Sequence, residues 1–270
     1  MGSILNDTRR LIFTVTSGRS GTALLAKLLS RVPGVVALHE PEPRFNFKLR
    51  ETIADPRRAI PFLLEEKLPA IAKLNGETYV ETSHLICKGF IEPLLALGLK
   101  PEFVILRRDP VQVARSLFQM NVIPGRTFDG LLVLLQPSDK GVLPLISWEA
   151  MSDYQLCFWY ALEIERRQLH YEDLFARCGI MFYSVSMNDL TDRGQFGQVL
   201  ARMFPQKGLR IEEAEFTEII SVNQNPKEKA APGRPLRLLP EMPQDEEAEV
   251  YELIRFYEPD LQRRIERAYK

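Results

Sequence analysis

The sequence predicts an α/β protein built as a single domain, a central parallel sheet flanked by helices, and three observations carry that prediction. Short apolar, β-branched runs recur along the chain without the strict alternation of a half-exposed strand. Most of them empty into a turn rich in glycine, proline or charge, and the turn opens a segment of helical periodicity. The length of 270 residues suits one such domain.

Taken in order, Leu11–Val15 is the first strand, preceded by Arg9-Arg10 and closed by Ser17-Gly18. In residues 23–31, Leu24, Leu25, Leu28 and Leu29 recur with helical spacing, and Pro33-Gly34 stops the helix. Val35–Leu38 is the second strand. It delivers His39-Glu40-Pro41 to its C-terminal end, the edge at which open α/β sheets place their ligands. Residues 44–74 read as helical and surface-exposed, Tyr79–Thr82 as a third strand and Ile91–Leu97 as a helix. Phe103–Leu106 is a clear strand that flows through Arg107-Arg108-Asp109-Pro110 into a helix ending near Met120. Asp109 suits the N-cap of that helix and Pro110 its first position. Residues 121–147 carry three prolines and three glycines and read as a long irregular insertion facing substrate. Residues 148–176 are helical in pattern, Ile180–Val185 strand-like, and 194–204 and 212–220 helical. A Pro-rich irregular segment, 223–243, precedes the C-terminal helices, where Asp245-Glu246-Glu247 suits a helix N-terminus.

Composition narrows the function classes. Hydrophobic residues make up 45% and charged residues 26%, so the chain is neither disordered nor a disulfide scaffold. Lys plus Arg number 35 against 36 Asp plus Glu, a formal net charge of −1. Such a balance gives no global field to draw in nucleic acid or an anionic membrane, so phosphate or sulfate recognition must come from local clusters. The richest apolar stretch, Leu131–Leu135, falls far short of a membrane span and ends at Gln136-Pro137. Met1-Gly2-Ser3 leads into polar, charged residues with no signal pattern, so a cytoplasmic location is expected. Cys87, Cys157 and Cys178 show no CxxC spacing and no histidine placed for zinc. They are expected to be buried small apolar residues in a reducing compartment, and no metal is expected.

The first motif is Thr16-Ser17-Gly18-Arg19-Ser20-Gly21-Thr22, which joins a buried strand to a helix. A junction of this kind aims several backbone N–H groups and the positive helix end at one spot, a ready anion site. It is not a Walker loop, because no Lys precedes a Ser or Thr, and Gly18 and Gly21 do not make GxGxxG. Arg19 inside the loop can sit on the bridging oxygen of a transferring group.

Gly18-Arg19-Ser20-Gly21-Thr22 after a strand, with Leu24-Leu25 and Leu28-Leu29 on the following helix, resembles the 5′-phosphosulfate loop of sulfotransferases that use 3′-phosphoadenosine 5′-phosphosulfate (PAPS). The second motif runs from Arg108 to Ser116 at another strand-to-helix junction and is similar to that family's 3′-phosphate motif, an Arg at the strand end and a Ser eight residues on. Arg108 can grip a phosphate bidentately while Ser116, about two turns into the helix, donates a hydroxyl to it. The resemblance covers residues 11–40 and 79–120 well, 148–190 loosely and the C-terminus hardly at all. It implies a P-loop NTPase-like sulfotransferase fold with PAPS as co-substrate and an in-line sulfuryl transfer that needs no metal. Ser17, Gly18, Arg19, Ser20, Gly21, Thr22 and Ala23 are the implied phosphosulfate cradle, and Arg108 and Ser116 the 3′-phosphate site.

Two residues compete for the base that takes the acceptor proton. Glu40 follows Arg19 by 21 residues at the end of the second strand, where bacterial, tyrosylprotein and some carbohydrate sulfotransferases place a catalytic Glu. His84, in Glu81-Thr82-Ser83-His84-Leu85, precedes Arg108 by 24 residues and resembles the catalytic His of cytosolic sulfotransferases. Glu40 is the expected base and His84 a second base or acceptor ligand; Arg19, Glu40 and His84 are the candidate catalytic set. His170 reads as structural. The Tyr-Glu-Asp that many members carry after a later strand is replaced here by Ser186-Met187-Asn188-Asp189-Leu190, and Tyr171-Glu172-Asp173 lies on helical periodicity before that strand. Asn225-Pro226-Lys227-Glu228-Lys229, continuing to Arg234 and Arg237, is the nearest basic cluster for closing over the nucleotide, with Lys227 and Lys229 as its candidate contacts. Phe158, Trp159 and Tyr160 are expected in the core, whereas Arg126, Phe128 and Trp148 are candidates for an acceptor pocket. The expected acceptor is the hydroxyl or amine of a small molecule or sugar, with natural products the leading class. A nucleotide-dependent P-loop kinase, disfavoured by the missing Lys, and a catalytically inactive nucleotide-binding protein are the alternatives.

Overall fold

The computed structural model describes residues 9–207, 211–222 and 236–269. Among these residues five strands are β1 (Arg10–Val15), β2 (Val35–Leu38), β3 (Thr78–Glu81), β4 (Glu102–Arg107) and β5 (Phe182–Ser186). The α-helices are α1 (Thr22–Leu29), α2 (Leu49–Ala54), α3 (Ala59–Phe62), α4 (Leu68–Ala72), α5 (Ile91–Ala96), α6 (Pro110–Gln119), α7 (Phe128–Val133), α8 (Asp153–Cys178), α9 (Met187–Thr191), α10 (Arg193–Met203), α11 (Glu213–Ser221), α12 (Pro243–Arg255) and α13 (Leu261–Ala268). The chain divides into two compact units, residues 1–108 with 175–225 and residues 109–174 with 226–270.

The first unit holds the sheet, whose order is β2-β3-β1-β4-β5 with every pair parallel. After β1 the chain builds toward β2 on one side and later crosses to β4 on the other. The carboxyl end of β1 is therefore the topological switch point, where an open sheet leaves a crevice. Parallel strands covered on both faces must be apolar on both, and Ile12, Phe13, Val80, Val104 and Leu106 are at most 1% exposed. One face packs Leu25, Leu28 and Leu29 of α1 and Phe196, Val199 and Leu200 of α10 against Ile12, Val80 and Val104. On the other, Phe103 stacks on Phe175 with ring centroids 4.3 Å apart.

Residues 44–74 are helical as expected, but as a string of short pieces: 3-10 turns, α2, α3, a π-helical turn Leu63–Lys67 and α4. Their inner face is not surface. Phe45, Phe62 and Phe90 form an edge-to-face cluster, and Leu63 and Leu49 are fully buried. Helix α9 follows β5 directly, where the sequence predicts no element. Ser186 caps it by accepting from the N–H of Asp189, whose carboxylate accepts the N–H of Ser186 in return.

In the second unit, Asp109 caps α6 by accepting the N–H of Val111 at 2.8 Å, with Pro110 at its first position. Residues 121–147 are irregular apart from α7, yet they are packed. The buried carboxylate of Glu163 on α8 accepts the N–H of Leu143 at 2.9 Å, and the indole N–H of Trp159 donates to the Leu143 carbonyl at 2.9 Å. Arg166 and Arg167 neutralise Glu163 from the next turn. Phe158, Trp159 and Tyr160 are all buried. Cys87 and Cys157 are buried as expected, whereas Cys178 is exposed because it ends α8 where the helix reaches solvent. Among the described residues no helix is long and apolar enough to cross a membrane.

Candidate functional site

The loop between β1 and α1 owes its shape to a few local contacts. The Thr16 hydroxyl donates to the Leu106 carbonyl at 2.7 Å and lies 2.5 Å from the Ser20 hydroxyl, which also reaches the Ser17 carbonyl at 2.7 Å. These buried hydroxyls pin the loop from below. Arg19 and Gly21 both take left-handed backbone, φ 69° and 97°. For Arg19 that conformation is costly and is held by the surrounding contacts. For Gly21 it is permitted by the absence of a side chain, and a Cβ there would meet Met187 Sδ at 2.6 Å. Gly21 is the N-cap of α1 and no side chain caps the helix. The first-turn N–H groups, those of Thr22 and Ala23 included, thus point out of the helix end without an intrahelical acceptor. With the αL residues before them they form a concave set of donors suited to an anion.

The end of β4 closes on this loop. Arg108 Nη1 donates to the Arg19 carbonyl at 2.6 Å, which joins the two arginines singled out in the sequence. Ser116 belongs to the second unit, buried on α6 with its hydroxyl 4.0 Å from Met120 Sδ. Lys227 and Lys229 lie outside the described residues, as does Arg234. Arg237 is paired with Asp153 at 2.7 Å and sits 4.2 Å over the Phe118 ring. Arg126 grips the same Asp153 and the carbonyls of Glu149 and Met151, fastening the insertion to α8, while Phe128 is 79% exposed.

Glu40 and His84 come together from the ends of β2 and β3. Glu40 Oε1 lies 3.4 Å from His84 Nε2, and the His84 side chain is only 12% exposed. Oε1 is buried and has no hydrogen-bond partner among the described residues. Glu40 itself holds left-handed backbone, φ 47°, at the turn that leaves β2. Gly18 brings the anion loop against the same imidazole; a Cβ on it would sit 3.6 Å from the ring. Burial, then the charges of Lys88, His39 and Arg19, holds His84 well below the usual histidine range. The ring is neutral near pH 7, so its approach to Glu40 is not an ion pair.

Two residues of this site were missed in the sequence. Lys88, 1% exposed, places Nζ 2.9 Å from Nδ1 of His84. Its spacing of one helical turn from His84 was the available signal. Lys67, at the end of the π-helical turn, is also 1% exposed and reaches Glu81 at 2.8 Å and the carbonyls of Pro43 and Pro41 at 3.0 and 3.3 Å. Tyr79 donates to the other Glu81 oxygen at 2.6 Å. Lys67 thus anchors the segment that carries Glu40, and nothing local in Leu63-Leu64-Glu65-Glu66-Lys67 announces it. His39, by contrast, turns its Nδ1 to the Thr82 carbonyl at 2.7 Å. His170 is exposed, its ring against Tyr171. Among the described residues no cluster of three or more His, Cys, Asp or Glu could hold a metal ion.

No protein-family model matches the chain, and no curated protein matches it either.

Proposed function

We propose that this protein is a PAPS-dependent sulfotransferase of the P-loop type that transfers a sulfuryl group to the hydroxyl or amine of a small molecule or sugar. The observation that carries the proposal is the Glu40 carboxylate oxygen, buried and without a donor, at the mouth of a strand-loop-helix anion cradle. A buried acceptor of that kind asks for a proton donor, and an acceptor hydroxyl supplies one. The strand order, with β1 between β3 and β4, supports the same fold type by setting the cradle at the switch point.

The residues fit the nucleotide. The N–H groups of residues 17–23 suit the phosphosulfate, Arg19 its bridging oxygen, and Arg108 the 3′-phosphate; Ser116, Lys227 and Lys229 stand as candidates on the family resemblance alone. When bound, PAPS supplies the sulfuryl group: an S–O bond forms to the acceptor oxygen while the bond to the bridging oxygen breaks, leaving its electron pair on the departing nucleotide. Glu40 takes the proton that the acceptor oxygen gives up. Arg19 and the loop dipoles stabilise the charge that grows on the bridging oxygen. Balanced net charge fits a small neutral acceptor, a natural product for instance, better than a polyanion. A cytoplasmic setting suits its cysteines, which form no disulfide among themselves.

Magnesium-free calorimetry with 3′-phosphoadenosine 5′-phosphate, adenosine 5′-phosphate and ATP tests the reading. Tight binding of the 3′-phosphorylated nucleotide alone is expected, weakened first by Arg108→Ala. Preference for ATP would overturn the proposal and favour a kinase. With a turned-over acceptor in hand, Glu40→Gln loses turnover, by about 100-fold or more, while nucleotide affinity holds.

A further inference from the structure

We infer that Lys88 is a positioning residue that fixes His84 in the tautomer that turns an N–H, not a lone pair, toward Glu40. The catalytic consequence rests on the transfer reading above, whereas the arrangement itself does not. Lys88 closes the short turn Ile86–Lys88 that follows β3, is 1% exposed, and sets Nζ 2.9 Å from His84 Nδ1. An ammonium carries three donors and no acceptor. Nδ1 must therefore present its lone pair, and a neutral ring must carry its one proton on Nε2. Nε2 is the nitrogen that faces Glu40 Oε1 at 3.4 Å.

An imidazolium would turn a second N–H against the ammonium, in a buried pocket that Arg19 of the anion loop already makes positive. Glu40, from the same end of β2, is the carboxylate that faces the ring. Together these groups leave His84 with no lone pair toward the reaction. It cannot take a proton at Nε2, so the acceptor proton goes to Glu40, whose Oε1 faces the ring at 3.4 Å but makes no hydrogen bond among the described residues. The division of labour that two competing bases left open in the sequence is thus set by a third residue.

Nitrogen–proton correlation spectra of the full-length, isotope-labelled protein at about pH 7.5 read the tautomer directly. The chain has three histidines, and His84→Gln assigns the one in question. The wild type is expected to show the Nε2–H tautomer, and Lys88→Met a mixture of the two. An Nδ1–H tautomer or an imidazolium in the wild type would overturn the inference, whether or not Lys88→Met folds. In turnover, Lys88→Met lowers kcat at least about tenfold with little change in KM, the mark of a wrongly held imidazole. A KM effect with kcat intact would equally overturn it. If the wild-type tautomer is Nε2–H and 3′-phosphoadenosine 5′-phosphate does not bind, the transfer reading falls while the Lys88 assignment is supported.

Discussion

Lys67→Met removes one charge from a fully buried pair, and its cost can be worked from what the ammonium touches. Glu81 is 0% exposed and takes hydrogen bonds from Lys67 at 2.8 Å and Tyr79 at 2.6 Å. Burial pushes the Glu81 carboxyl up and the Lys67 ammonium down, each countered by the other's charge. With methionine at 67 the Tyr79 hydroxyl remains, but the carboxylate loses its counter-charge, and the Pro41 and Pro43 carbonyls lose a donor. Breaking a buried pair from one side costs about 3–5 kcal/mol. Replacing both partners, as in Lys67→Met with Glu81→Leu, leaves no charge to solvate and recovers most of that loss. Tyr79→Phe alone removes one hydrogen bond to a charged group, about 1.5–3 kcal/mol. Urea unfolding followed by far-UV dichroism measures all three variants against wild type. The reasoning is refuted if Lys67→Met lies within about 1 kcal/mol of wild type, or if the double variant is no more stable than the single one.

The neutrality of His84 has a stability consequence with a definite sign. Its folded-state pKa lies below the usual 6.5, so below that pH the unfolded chain binds a proton that the native one refuses. Stability is complete above 6.5 and falls as pH drops, by about 1.4 kcal/mol at one pH unit below. His84→Gln should lose that increment, and equal pH sensitivity in the two proteins would contradict it. The two loop glycines should behave differently. Gly21→Ala meets both a left-handed φ and Met187, whereas Gly18→Ala places its Cβ at ordinary contact with His84. The first should lower stability by about 1–2 kcal/mol from backbone alone, and the second should leave it near wild type; thermal unfolding of both compares them. Asp153 is the third case. Burial works to raise its carboxyl, but hydrogen bonds from Arg126 and Arg237 hold it below the usual 3.8. That stabilisation is present above about pH 4 and lost in stronger acid, so Asp153→Asn should flatten the acid limb of an unfolding curve.

What the sequence made legible is what local chemistry decides. Strand β2 falls at Val35–Leu38 as read, and β1 and β4 extend by one or two residues beyond their apolar runs, because Arg10 and Glu102 at the edge satisfy each other across the sheet at 2.5 Å. Asp109-Pro110 and Asp245-Glu246 mark helix starts because caps and dipoles act within one turn. The loop at 16–22 was readable for the same reason. Residues 44–74 were misread as surface because their inward face is discontinuous, broken by Pro56, Pro61 and a π-helical turn, so no 3.6-residue stripe survives to be counted. Lys67 was invisible since a buried lysine looks like any surface lysine until its partner 14 residues away is placed beneath it.

The same distinction explains how a chain of net charge −1 can hold a strongly cationic corner. Arg19, Lys88 and Arg108 are far apart in sequence, and no window that contains one of them stands out as basic. Parallel strands carry each of them, or the turn that follows, to the carboxyl edge of one sheet, where the loop N–H groups add their own partial charge. A corner of that kind has two effects that pull together. On the proposed reading it attracts the anionic end of a ligand, and, added to burial, it keeps His84 from protonating, which leaves Glu40 as the proposed proton acceptor. Removing positive charge there should therefore weaken anion binding and let His84 titrate higher in the same variant. Arg19→Ala offers the separation: if nucleotide affinity falls while the His84 titration stays where it was, Arg19 binds the ligand but does not govern the imidazole, which burial and the nearer charge of Lys88 then hold down.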